Sequence, residues 1–121
     1  MRVIVAGSRS IKDYELVKKA IEDSGFKISI LVCGEARGVD SLGRRWAESH
    51  EVPIKSFAAN WDIHGRGAGH IRNKEMAEYA QALVLVWDGQ SAGSKSMKKY
   101  AGDKGISIYE VVVKDESTNY F

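Results

Sequence analysis

The chain has one cysteine, one proline and three histidines among 121 residues, and its charges nearly cancel, with 18 Lys and Arg against 16 Asp and Glu. Each shortage excludes something. A lone thiol, Cys33, rules out an internal disulfide framework. A formal charge of +2 with a pI near 8.7 suits an anionic small ligand but falls short of the basic footprint of a duplex-DNA binder, so nucleic acid is not an expected partner. No apolar run approaches the roughly 20 residues of a membrane span, and the opening MRVIVAG reads as a strand rather than a secretory signal. The expectation is a soluble cytoplasmic protein, in the host cytoplasm if the origin is viral. His50, His64 and His70 share no spacing that would gather them round a metal, and no serine is matched with a histidine and an aspartate for acyl transfer. Neither a metal nor a resident cofactor is expected.

What is present is globular: 44% hydrophobic and 28% charged residues, enough for one core and too short for two domains. Residues 1–113 read as a single domain and 114–121 as a polar tail. Arg2 to Ala6 is a strand ending at Gly7, followed by a helix through Leu16, Val17, Ala20 and Ile21 that Gly25 stops. Ile28 to Val32 is a second strand, and Val39, Leu42, Trp46 and Ala47 share a helical face. Pro53 precedes a short strand from Ile54 to Phe57. Residues 58–69 read as a long irregular loop, before a helix from Ile71 to Ala80. Ala82 to Trp87 is a continuous apolar strand, a helix runs through Met97, Tyr100 and Ala101, and Ile106 to Val113 is the last strand. Strand and helix alternating five times, with strands apolar on both faces, predict an α/β, doubly wound, mainly parallel five-stranded sheet covered by helices on both sides.

In such a sheet ligands bind beyond the carboxyl ends of the strands, where the winding reverses. Three glycine-rich seams lie there: Gly7-Ser8-Arg9; Cys33-Gly34-Glu35-Ala36-Arg37-Gly38 with Asp40; and Asp88-Gly89-Gln90-Ser91-Ala92-Gly93-Ser94. The middle seam fits a phosphate or ribose cradle, in which Gly34 and Gly38 allow close backbone approach and Arg37 forks onto a phosphate. It also fits a plain strand-to-helix turn, with Asp40 stabilising the first helical turn. "GQSAGSKS", Gly89 to Ser96, imitates a P-loop with Ser94 in place of its second glycine, and that replacement argues against an NTPase. Trp46 and Trp87 read as core. Trp61 could stack on a base.

Taken together, "VIVAGSRS", "CGEARGVD", Trp61, "AGHIRNKEMAEYA" and "WDGQSAGSKSM" resemble the SLOG superfamily, named for the DNA-processing Smf/DprA proteins and the Lonely Guy enzymes. The likeness is to its small single-domain branch of bacteria and phages, with a GSR start and a GGARGVD-like seam. The resemblance implies a Rossmann-like fold and a nucleotide-type ligand held by Gly7, Ser8, Arg9, Gly34, Gly38, Gly93 and Ser94. It also sets Arg72, Asn73 and Met76 over the R-K-x-x-M stretch of the Lonely Guy enzymes, whose arginine works at the ribosyl phosphate. Their catalytic glutamate falls on Met97 and their threonine on Ser94, while Glu35 stands where this branch carries glycine.

Without that glutamate the resemblance implies a binding module for a nucleotide-derived signal of the ADP-ribose or cyclic ADP-ribose kind, conceivable as a phage anti-defence sponge, rather than an enzyme. Nucleoside-monophosphate phosphoribohydrolase activity and single-stranded DNA binding of the DprA type are the alternatives. Glu35, Asp40, Glu75 and Asp88 remain as carboxylates that could serve catalysis. The expected ligand-contacting set is completed by Glu35, which either blocks part of the pocket or accepts from a ligand hydroxyl, and by Asp40, Trp61, Asp88, Gly89 and Ser91. Arg9, Arg37 and Arg72 are expected to form its cationic side. Self-association through the long loop and the helices around Trp46 and Ile71 to Tyr79 is expected, because a shallow crevice gains from a neighbour that excludes water. Met97 fits either the pocket edge or the core.

Overall fold

A computed structural model of the chain describes residues 1–114. Five strands, β1 (Arg2–Gly7), β2 (Ile30–Gly34), β3 (Ile54–Phe57), β4 (Ala82–Trp87) and β5 (Ser107–Val112), form one sheet in the order β3-β2-β1-β4-β5. All neighbours run parallel, with Ile4 beside both Val32 and Leu83. The connecting helices are α1 (Tyr14–Ser24), α2 (Val39–Ser49), α3 (Trp61–His64), α4 (Ala68–Tyr79) and α5 (Ala92–Lys104). The expected doubly wound α/β architecture is the one observed. Of the expected tail only Lys114 falls within the described residues.

Alternation along the central strands divides the core into two layers. Val3 and Val5 of β1, with Leu31, Val84 and Val86, pack against Val17, Ala20 and Ile21 of α1 and Val39, Trp46 and Ala47 of α2. Ile4 and Ala6, with Val32, Leu83 and Leu85, meet Met76 and Ala77 of α4 and Met97 and Ala101 of α5. Every residue of β4 is buried, as befits a central parallel strand covered on both faces. Helix α2 lies close on β1 because residue 43 is glycine: a Cβ there would come within 2.7 Å of the Val5 side chain.

Two expectations shift. The stretch 58–69 is mostly helical: Asn60 caps α3 by accepting the Ile63 N–H at 3.2 Å, a 3-10 turn spans Gly65–Gly67, and α4 starts three residues before Ile71. Gly65, at φ 54°, ends α3, while Gly67 and Gly69 carry the chain through the 3-10 turn into α4. The second strand begins at Ile30 and runs through Gly34, because Cys33 and Gly34 pair with Ser56 and Phe57 of β3.

Among the described residues no helix is long and apolar enough to cross a membrane, and no group of three or more His, Cys, Asp or Glu side chains could hold a metal ion.

Candidate functional site

The winding reverses between β1 and β4, and a cavity of about 480 Å³ opens there at the carboxyl ends of the strands. Gly7, Ser8, Arg9 and Ser10 bring the end of β1 into its wall, Asp88 the end of β4, and Ser91, Ala92, Gly93 and Ser94 the start of α5. Asp40 enters from the first turn of α2, and Arg72, Asn73 and Met76 from α4.

Ser8 fastens this wall. Its N–H donates to the Val86 carbonyl at 3.1 Å, its carbonyl accepts the Val39 N–H at 3.3 Å, and its hydroxyl oxygen accepts the Asp88 N–H at 3.0 Å. One buried serine therefore ties β1 to β4 and to the start of α2. The Asp88 carboxylate accepts the N–H groups of Gln90 and Ser91, each at 2.8 Å, and these bonds hold its pKa below the ordinary carboxylate value. The turn so formed, with Gly89 at φ 82°, delivers the chain to Ser91, whose hydroxyl oxygen caps α5 by accepting the Ser94 N–H. The first N–H groups of a helix have no intrahelical acceptor, and no acidic residue stands in the first turn of α5. This helix start is an electropositive wall suited to phosphate.

On the opposite side Arg72 and Asp40 meet across Gly34. A Cβ on Gly34 would lie 2.5 Å from Arg72 Nη1 and 2.9 Å from Asp40 Oδ2, so glycine at this position is what lets both polar groups converge. Asp40 is 5% exposed, and burial pushes its pKa up from 3.8 to about 7. The Arg72 charge and the backbone N–H groups of Gly7, Gly34 and Ala36 pull the other way without prevailing. Arg72 is itself held: its Nε donates to Asn73 Oδ1 at 3.1 Å, and Asn73 Nδ2 reaches the Gly93 carbonyl and Ser96 Oγ, both at 3.3 Å. Ser96 Oγ in turn bonds His70 Nδ1 at 2.8 Å. The chain His70–Ser96–Asn73–Arg72 thus couples α4 to α5 behind the cavity wall.

The remaining expected site residues stand off the wall. Gly38 takes φ 75° at the start of α2, its Cα packed against the backbone of Ser8 and Arg9 so closely that a Cβ would collide with the Ser8 carbonyl. This turn sends Glu35 and Arg37 outward, where both are exposed, so the cationic side is made by Arg72 and Arg9 without Arg37. Trp61, 55% exposed, lies on α3 away from the cavity. Met97 satisfies both of its readings, since it is 1% exposed in the core layer with Met76, Leu85 and Trp87 and also forms part of the cavity lining. Sequence reasoning did not reach Ser10, Ala36, His70 or Ser96. The available signal for His70 was its three-residue helical offset from Asn73, which puts both on one face of α4 toward Ser96.

What this arrangement can do is bind an anion between a helix start and an arginine, with a buried carboxyl available to a hydroxyl or an N–H of the same ligand. The SLOG family described as YspA, cpYpsA-related (YAcAr) matches residues 1–64, which carry β1 through α3. The "Gene 61 protein" of Mycobacterium phage D29 is 33% identical over 116 residues, spanning 88% of this chain and 93% of that protein. No solved structure matches the chain. SLOG proteins are associated with nucleotide-related ligands, and the cavity lies at the switch point where such a ligand is bound in this fold. With its parallel sheet, its glycine seams and a family match over residues 1–64, the chain belongs to the YspA, cpYpsA-related SLOG family.

Proposed function

We propose that the protein binds a nucleotide-derived ligand of the ADP-ribose or cyclic ADP-ribose kind and holds it without turnover. The observation that carries this reading is the pairing of a phosphate-type wall with an apolar floor: the α5 start and Arg72 face a cavity in which Met97 occupies the position of the Lonely Guy glutamate. Cleavage of an N-glycosidic bond passes through an oxocarbenium-like state that a carboxylate stabilises, and a thioether does not. Sequestration of a host nucleotide signal is the use such a pocket would have in a phage, and a phage protein is among the relatives of this chain. The test is to incubate the protein with cyclic ADP-ribose isomers, ADP-ribose and AMP, wash, denature by heat and identify what is released. Intact ligand is the expected result, and no retention of any nucleotide in the panel would refute the reading.

One observation favours a second reading. Asp40 lines the cavity beside Arg72 with its pKa raised to about 7, the range in which a carboxyl serves as a general acid or base near neutral pH. Phosphoribohydrolase action on AMP would then use Arg72 at the phosphate and Asp40 at the leaving base. Release of adenine from AMP, abolished by Asp40→Asn, would establish it in place of simple binding.

A further inference from the structure

A second concavity of about 450 Å³ adjoins the first, and Ser10 and Asp88 line both. It lies between the segment leading into α1 and the chain just beyond β5, on the same carboxyl-end side of the sheet. Its floor is apolar: Ile11, Leu16 and Val113 are half-buried and packed on the core layer beneath α1 and α2, so their positions are fixed by the fold. Its polar rim carries Lys12, Lys114 and Asp13. Asp13 uses one oxygen to accept the Leu16 N–H at 3.3 Å, and Asp88 Oδ1 accepts from Gln90 and Ser91. An ionised carboxylate has about four acceptor directions, so each retains capacity for a hydroxyl donor.

A flat apolar floor with ammonium donors and carboxylate acceptors round it fits a sugar or nucleoside, whose ring face is apolar and whose edge carries hydroxyls. A second phosphate alone does not fit as well, since two carboxylates stand on the rim. The first cavity by itself already has the volume of an ordinary small-ligand site.

Resting on the nucleotide-binding reading above, we infer that the two concavities form one bipartite site for a two-ended nucleotide, in which the phosphates lie along Arg72 and the α5 start, the bridge passes Ser10 and Asp88, and a second ribose or nucleoside occupies the outer lobe. Such a ligand bears a pyrophosphate between two ribose units. A mononucleotide fills only the inner lobe.

Titration calorimetry with AMP, ADP and ADP-ribose on the full chain tests this. ADP-ribose is expected to bind about tenfold or more tighter than ADP, the gain from a second set of charge-assisted contacts. Lys12→Ala/Lys114→Ala, two surface changes, should erase that gain and leave ADP affinity unchanged. Val113→Trp, which fills the outer lobe, should do the same. Equal affinity for ADP and ADP-ribose in the unaltered protein overturns the outer lobe while leaving the nucleotide reading intact. Parallel loss of ADP and ADP-ribose binding in the lysine variant also overturns it, since the residues would then serve the inner lobe. Failure of all three nucleotides to bind overturns both.

Discussion

Asp40 makes the stability of the protein depend on pH in a direction opposite to most carboxylates. In the unfolded chain its carboxyl ionises near 3.8, whereas in the fold burial raises that value to about 7. The folded state therefore holds its proton across a window in which the unfolded state has released it, and stability attributable to this group falls steadily as pH rises through that window. Full passage from 3.8 to 7 corresponds to about 4 kcal/mol, at about 1.4 kcal/mol for each tenfold change in proton affinity. The neutral-form advantage is complete below pH 3.8 and gone above 7. Between pH 5 and 8 the expected loss is about 3 kcal/mol. The measurement is urea unfolding of the unaltered protein and of Asp40→Asn at half-unit pH steps. The amide cannot titrate, so subtracting the two stability profiles removes every other ionising group. A difference that changes by about 3 kcal/mol over the window is expected, whatever the offset caused by loss of one acceptor for the Gly7, Gly34 and Ala36 N–H groups. A flat difference would mean that Asp40 ionises in the fold as it does in water, and the burial argument would be refuted.

Arg72→Ala is expected to weaken nucleotide binding by about 1.5 to 3 kcal/mol, the worth of a charge-assisted bond to phosphate, whereas Arg37→Ala should leave it unchanged in calorimetry. Met97→Glu places a carboxyl in the apolar layer with Met76, Leu85 and Trp87 and should cost about 2 kcal/mol or more, read as a lower melting temperature with no release of adenine from AMP. Light scattering should show a mass above the 13.4 kDa of one chain at micromolar concentration, with Trp61, Ile63 and Ile71 at 55%, 72% and 38% exposure as the surface involved. Trp61→Glu/Ile63→Glu would then return the protein to a single chain.

The architecture was legible because its signals are local. Ala82 to Trp87 is apolar at every position, and a run of that length bounded by polar residues fits a central parallel strand buried on both faces. The three seams were legible for the same reason; the first and third line the cavity, and the middle one reaches it through Ala36 and Asp40. What escaped depends on directions that sequence does not encode. Arg37 and Arg72 look equivalent as text, yet the φ of 75° at Gly38 turns one outward while the helical phase of α4 aims the other under Gly34. Asp40 read as a first-turn acid, and nothing nearby in sequence announces that residues 7, 34 and 36 enclose it. The bond between His70 and Ser96 becomes visible only when two helices are laid side by side. Trp61 stands outside the cavity lining, a placement periodicity could not give because a four-residue helix leaves its face undetermined.

The central place of β1 has a consequence for how the chain is made. Its two partners are β2 and β4, so one of its edges can be satisfied once β2 is made while the other stays open until residue 87 has emerged. During that interval Val3 to Gly7 offers unpaired backbone donors and acceptors along an apolar strand, the kind of edge on which nascent chains associate wrongly. Arg72 and the third seam with its Ser91 cap lie beyond residue 64, so a chain arrested at that point has two seams but no cavity. Slow translation through residues 65–87 should therefore lengthen the exposure of that edge and lower the yield of folded protein.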